Sequence, residues 1–200
     1  MRNRLELSIN KKWTFKRAGE EKWYKAQVPG CVHTDLLKND IIPDPFYGIN
    51  EKDLQWISDE NWEYKTILDL DNEFISKEVQ LLKFYGLDTY AKVYVNGKLL
   101  IESNNMFHPW EVSVKNIFQL GENEILVSFE SPVQKILPKM NKMDYELPAD
   151  NDQIKKTSPY TRKAPYHYGW DWGPSFATCG IWQNVEVIAY DFFTINDVHI

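Results

Sequence analysis

The stretch Val93-Tyr94-Val95-Asn96-Gly97-Lys98-Leu99-Leu100 decides the fold class. Two runs of β-forming residues meet at an Asn-Gly dipeptide. Gly97 takes positive φ readily and Asn96 tolerates it, which is what a two-residue type I′ hairpin turn requires. Outward from this hairpin, Ile125-Leu126-Val127-Ser128-Phe129 places Ile125, Val127 and Phe129 on one face of a strand, after a turn at Gly121-Glu122-Asn123. Residues 62–70 and 79–85 read as two further strands, divided by an acidic turn at Asp69-Leu70-Asp71-Asn72. Residues 182–188 read as another, with Val185 and Val187 facing one way. Short strands with turn signals at this spacing predict an all-β sandwich.

Helical signal is thin. Residues 34–39 predict one short turn or helix after Pro29-Gly30, and a second candidate at 133–143 is interrupted by Pro138. Two segments read as long and irregular: 38–59, with Pro43, Pro45 and Gly48, and 132–165, rich in Lys, Asp and Pro. Loops of that length inside a domain are commonly functional. There is no internal repeat.

The chain has 200 residues and a net charge of −6, with 26% charged and 43% hydrophobic residues, which favours one globular domain over disorder. No apolar run approaches the ~18 residues of a spanning helix, so no membrane class is expected. The negative balance argues against nucleic acid, whose binding rests on Lys and Arg. Aromatic content is high, with 8 Trp, 11 Tyr and 10 Phe, so rings serve a large core or are kept for a ligand. Trp13, Trp62, Trp110 and Trp182 are expected in the packing.

Cys31 and Cys179 lie far apart and read as two buried free thiols, with one disulfide as the alternative. The four histidines share no metal-ligand spacing, so neither metal nor cofactor is expected. His33 and Asp35 lack a partner nucleophile and read as a hydrogen-bonded turn. Asp44-Pro45-Phe46-Tyr47-Gly48 reads as loop packing, with an approach to a pocket or a neighbouring domain as the alternative, and Lys135, Lys139 and Lys142 as a solvated edge. The first residues carry no apolar leader. A cytoplasmic protein follows, or a periplasmic or secreted bacterial one whose leader was removed. The end at Asn196-Asp197-Val198-His199-Ile200 reads as an incipient strand, so a fragment of a longer chain is expected.

The densest chemistry lies in Arg162-Lys163-Ala164-Pro165-Tyr166-His167-Tyr168-Gly169-Trp170-Asp171-Trp172-Gly173-Pro174. Two glycines bracket Trp-Asp-Trp, and Pro174 keeps Gly173 out of the helical region. Such a turn can hold two indoles and a carboxylate in fixed, partly exposed positions. Sugars suit that combination: their C–H faces pack on indoles, and a carboxylate accepts from neighbouring hydroxyls. Arg162 and Lys163 are candidates to orient or neutralise the acid. The alternative is that Trp170 and Trp172 plug the core while Asp171 caps a turn. One Asp cannot serve as both acid and nucleophile, so the segment is no catalytic dyad.

These residues resemble the N-terminal sugar-binding domain of glycoside hydrolase family 2, in particular its β-mannosidase branch. The likeness spans essentially the whole chain. It runs through Trp13-Thr14-Phe15, Val28-Pro29-Gly30-Cys31-Val32-His33-Thr34-Asp35, Asp44-Pro45-Phe46-Tyr47-Gly48, Trp62-Glu63-Tyr64, Phe84-Tyr85-Gly86-Leu87-Asp88-Thr89, Asn104-Asn105-Met106-Phe107-His108-Pro109 and Gly180-Ile181-Trp182. The Asn-Gly hairpin and the Gly-Ile-Trp entry fit β-galactosidases and β-glucuronidases too; the 162–174 segment is what looks mannosidase-like.

The resemblance implies a jelly-roll, galactose-binding-domain-like β-sandwich over 1–190. Residues 191–200 would begin a linker or the first strand toward an immunoglobulin-like domain. A catalytic barrel of the same chain would follow, carrying both catalytic carboxylates and acting on a β-mannoside oligosaccharide. No catalytic residue falls within these 200. The implied substrate-binding residues are Trp170, Asp171 and Trp172. An autonomous carbohydrate-binding module and a purely structural scaffold stand as rival readings.

Overall fold

The computed structural model describes residues 4–192 together with 195, 198 and 199. The described strands are β1 (Arg4–Ser8), β2 (Thr14–Arg17), β3 (Tyr24–Lys25), β4 (Trp62–Leu70), β5 (Val79–Phe84), β6 (Tyr90–Val95), β7 (Lys98–Asn104), β8 (Trp110–Ser113), β9 (Gly121–Glu130) and β10 (Val185–Tyr190). They form a four-stranded sheet, β1-β10-β5-β8, and a six-stranded sheet, β3-β2-β4-β9-β6-β7, with every named pairing antiparallel. The expected β-sandwich is therefore present. Among the described residues five short helices accompany it: α1 (Val32–Lys38), α2 (Asn50–Asp53), α3 (Trp56–Asp59), α4 (Asn72–Ser76) and α5 (Leu137–Met140).

The Asn-Gly hairpin joins β6 to β7, with φ of 50° at Asn96 and 78° at Gly97, as a type I′ turn demands. Asn96 also reaches across the sheet end, donating to the Ile117 carbonyl at 3.0 Å and accepting from the Glu124 amide at 3.0 Å. In β9 the residues Ile125, Val127 and Phe129 are all buried, as the alternation requires.

Some boundaries differ from the sequence reading, each for a local reason. The acidic turn after β4 is a helix start, because the Asp71 carboxylate accepts from the Phe74 amide at 2.9 Å and caps α4. Gly121-Glu122-Asn123 belongs to β9; the turn lies just before it, closed by the buried Asn123 side chain on Gln119 and Gly121. The last strand starts at Val185, not 182, because the Trp182 indole is tied to the Met106 carbonyl at 3.0 Å. Segment 38–59 holds α2 and α3, and segment 132–165 holds α5 and a 3₁₀ turn at Ser158–Tyr160. Of the stretch 191–200, residues 193, 194, 196, 197 and 200 lie outside the described ones.

The core fills the space between the sheets. Trp13, Phe15, Trp62, Tyr64, Phe74, Phe84 and Phe129 are fully buried. Phe15 lies 5.7 Å from Tyr64 and 6.2 Å from Trp62 between ring centroids, and Tyr64 meets Phe129 edge-on at 5.7 Å. Trp13 and Trp62 are core as expected, whereas Trp110 and Trp182 are only partly buried. Each core indole keeps a partner, Trp13 to the Ile9 carbonyl and Trp62 to the Ile57 carbonyl. Both cysteines are free; Cys179 is buried and Cys31 partly exposed.

Removing the Phe129 ring leaves a cavity facing Tyr64. Phe129→Ala is expected to cost about 3–5 kcal/mol, read as a lowered urea midpoint with unchanged slope; a loss under about 1 kcal/mol would contradict this packing.

Candidate functional site

The segment between β9 and β10 is laid over one end of the sandwich and fastened there by a buried ion pair. Lys163 has no exposed side-chain surface, and its ammonium donates to the Asp88 carboxylate and, at 2.7 Å, to the Thr178 carbonyl. The Thr89 hydroxyl donates to the other Asp88 oxygen. The Asp88 and Gly180 backbones exchange hydrogen bonds of 3.0 and 3.1 Å. The Thr178 hydroxyl meets His33 Nδ1 at 2.9 Å. His167 approaches Asp88 to 3.7 Å without hydrogen-bonding it. So Lys163 does not neutralise Asp171, as its position in sequence suggested; it neutralises Asp88. Arg162, its exposed neighbour, faces elsewhere, its backbone bridged to the end of β7 at Asn105 and Met106.

From this anchor the chain makes a 3₁₀ turn (Pro165–Tyr168) and then the finger. Buried Tyr168 packs with Val133 and Ala177 in a small second core. Its carbonyl accepts from the Gln153 amide at 3.0 Å and the Ser175 hydroxyl at 2.9 Å, pinning both sides of the finger base. Gly169 has φ 122°, and a Cβ there would sit 2.5 Å from the Asn151 carbonyl oxygen, so no other residue fits. Residues 170–173 close a turn through the Gly173 amide and the Trp170 carbonyl at 3.3 Å. On the far side, Glu51 of α2 accepts from the Ser175 amide at 2.7 Å, and Gln55 donates to the Ser175 carbonyl at 2.8 Å.

The finger projects into solvent. Trp170 is 42% exposed, Trp172 is 85% exposed, and Asp171 is exposed with no hydrogen bond or ion pair to any described residue. The two indoles stand nearly perpendicular, 6.3 Å apart and at 84°. The two indoles thus form a corner of aromatic walls, with the unpaired, exposed Asp171 between them in the chain. The core-plug alternative is wrong for both indoles, because neither turns inward. The Asp44–Gly48 loop is closed on itself through Asp44, which accepts from the Phe46 amide at 2.9 Å, yet Phe46 and Tyr47 are each 76% exposed, and Phe46 meets Phe176 edge-on at 5.4 Å beside the finger. Asp88, Glu51 and Gln55 position the finger, and sequence reasoning missed all three, since no local pattern marks a residue whose partner lies 75 or more positions away. Among the described residues, no group of three or more His, Cys, Asp or Glu could hold a metal.

The electrostatics mark the anchor as a dry place. Burial lowers His33 to about 3, with Lys163 and His167 adding to it. Burial and Lys163 lower His167 to about 4 against the pull of Asp88. On α1, burial raises Asp35 to about 6, opposed by hydrogen bonds from the Gln27 amide and the Tyr64 hydroxyl and by Lys38. His33 and Asp35 are thus hydrogen-bonded as expected, but within a helix.

Residues 13–183 match the family described as glycosyl hydrolase 2 galactose-binding domain-like. The chain belongs to this family. Within it, the chain is 33% identical to "Beta-mannosidase B" of Thermothelomyces thermophilus over 96% of its own length and 22% of that protein's. It is 35% identical to a "Probable beta-mannosidase" of Caenorhabditis elegans, over 89% and 21% respectively. A crystal structure of a β-D-mannosidase from Dictyoglomus thermophilum superposes with a TM-score of 0.88 at 40% identity, over 94% of this chain and 23% of that one. A β-glucuronidase from an uncultured Clostridium superposes at 0.60 with 18% identity, which shows a shared fold. The chain spans about a fifth of the length of the relatives it matches.

Two outcomes follow for the anchor. Lys163→Met is expected to cost about 3–5 kcal/mol by stranding the buried Asp88 carboxylate, with Lys163→Met/Asp88→Asn recovering part of it; equal loss in both variants would contradict the pairing. Because His33 and His167 stay neutral in the fold but take protons when unfolded below about pH 6.5, their contribution is lost as pH falls from there toward 4 and 3. Asp35, raised from 3.8 to about 6, works the other way between those two values. His167→Asn should therefore flatten the fall in urea midpoint between about pH 6.5 and 4.5; an unchanged slope would contradict a neutral buried His167.

Proposed function

We propose that this chain is the N-terminal, non-catalytic domain of a β-mannosidase-like retaining glycoside hydrolase, and that its Trp170-Asp171-Trp172 finger completes the sugar site of a catalytic barrel elsewhere in the full-length protein. The observation that carries the proposal is the unpaired Asp171 carboxylate held between two exposed indoles on an anchored turn. An unpaired exposed acid on a pinned turn exchanges only water when it meets a ligand, and it accepts hydroxyl hydrogen bonds without first breaking one to the protein.

In this reading the finger's work is binding. Asp171 accepts from hydroxyls of a terminal β-linked mannose, Trp170 offers ring face or indole N–H, and Trp172 walls the subsite. Charge-assisted bonds made at a site closed off from water are stronger than their aqueous equivalents. Retaining hydrolysis needs an acid/base carboxylate and a nucleophilic carboxylate roughly 5 Å apart. Both are assigned to the barrel, and residues 1–190 to the sandwich, with 191–200 leading onward. The mannosidase branch is favoured over the β-galactosidase and β-glucuronidase branches because the relatives at 32–35% identity carry β-mannosidase names. The exposed Phe46 and Tyr47 beside the finger supply apolar surface for the barrel to cover.

In the full-length protein, Asp171→Ala is expected to lower kcat/KM on an aryl β-mannoside roughly 30- to 1,000-fold, from about 2–4 kcal/mol of lost charge-assisted bonding. The thermal midpoint should stay unchanged, since Asp171 makes no hydrogen bond or ion pair with any described residue. Activity within about twofold of the parent would reduce the finger to a scaffold.

A further inference from the structure

A cavity of about 690 Å³ lies away from the finger. It is a groove on the outer face of the six-stranded sheet, floored by β9, β6 and β7 and walled by segment 135–162. Strand register sets the floor: Tyr90 lies opposite Glu130 on one side and Asn104 on the other, and Lys92 lies opposite Glu102. Alternation turns Tyr90 and Lys92 to the same face, away from the core residues Ala91 and Val93. None of Trp170, Asp171 and Trp172 lines it.

Its composition runs against that of the protein. The chain carries a net charge of −6. The groove is lined by four cations, Lys92, Lys135, Lys139 and Arg162, and by two carboxylates, Glu102 and Glu130. Glu130 is already committed to Lys92 and Lys135. Lys139 and Arg162 pair with no carboxylate among the described residues. The Arg162 backbone is held in place, because its carbonyl accepts from the Met106 amide at 3.0 Å and the next residue, Lys163, is the buried anchor. Three tyrosines share the same space: Tyr90 in the floor, Tyr145 on the wall with its ring 61% exposed, and Tyr160, whose hydroxyl accepts from the Leu147 amide at 3.1 Å. Two unpaired cations in a cleft walled by aromatic rings, with hydrogen-bonding side chains in its floor, match a sugar chain bearing carboxylates. Ring faces take the C–H faces of the sugars, and Arg takes a carboxylate in a bidentate fork. The volume falls within the range of small-ligand sites and accommodates a short oligosaccharide.

We propose that this groove is a second glycan-binding site, separate from the finger, which takes a uronate-bearing oligosaccharide through Arg162, Lys139 and the tyrosine rings. It does not rest on the mannosidase reading, since the groove is built wholly from residues of this domain. A site of this kind would hold the protein on an acidic polysaccharide while another site acts.

The test is calorimetric titration of the full-length protein with tri-galacturonate and with neutral galactotriose. Saturable binding of the acidic trimer with a Kd of roughly 1 mM or tighter is expected, at least about tenfold tighter than the neutral one. Arg162→Ala should weaken it about tenfold, and Tyr145→Ala should weaken it also; both residues are exposed, and unchanged thermal midpoints would confirm that the variants are folded. Asp171→Ala should leave it unaltered, which separates this site from the finger. Absence of saturable binding, equal binding of both trimers, or binding indifferent to Arg162 and Tyr145 would each overturn the proposal. So would an acidic hexapeptide that binds as tightly as the trimer.

Discussion

Everything at the functional end of this domain depends on one buried ion pair. Two charges withdrawn from water cost several kcal/mol each in desolvation, and only close pairing with further hydrogen bonds offsets that. Lys163 and Asp88 meet the condition: the ammonium has a second acceptor in the Thr178 carbonyl, and the carboxylate a second donor in the Thr89 hydroxyl. Such a pair adds little net stability, but its removal in halves is severe. That asymmetry fixes the position of the segment. Residues 132–177 cannot lift from the sandwich without separating the Lys163 ammonium from the Asp88 carboxylate, so what lies on either side of Lys163 is held in a defined place.

The adjacent residues 162 and 163 show what the anchor does. Their side chains diverge, Lys163 into the sandwich and Arg162 to the surface, where it lines the outer groove. Seven residues further, past a Gly169 that admits no side chain, the same segment presents Trp170, Asp171 and Trp172 outward. One fastening therefore displays two chemically different surfaces. One is an exposed pair of indoles flanking an acid, and the other is a cleft lined by residues of this domain.

The fold was legible in the sequence where physics is local. The hairpin at Asn96-Gly97 needs only positive φ at two residues, and the alternation of Ile125, Val127 and Phe129 needs only one buried face. The finger was legible because two glycines around Trp-Asp-Trp are a local pattern as well. What escaped was non-local. Lys163 reads as a partner for Asp171 until the fold brings Asp88 to it. Glu51 and Gln55 sit in a stretch that reads as a loop, and their work is done on Ser175. The aromatic excess is divided: Phe15, Tyr64 and Phe129 build the core, while Trp172, Phe46 and Tyr47 are left outside.

The central claim is that Asp171 is a ligand-binding acid held ready by a fixed turn. The most direct measurement is a crystal structure of the full-length protein with a mannose-configured inhibitor bound. The account requires the Asp171 carboxylate to accept hydrogen bonds from inhibitor hydroxyls at about 2.6–3.0 Å, with Trp170 and Trp172 lining the same pocket and the turn unmoved. A complete sugar site with Asp171 facing bulk solvent, or with the finger buried against a domain that holds no sugar, would contradict it.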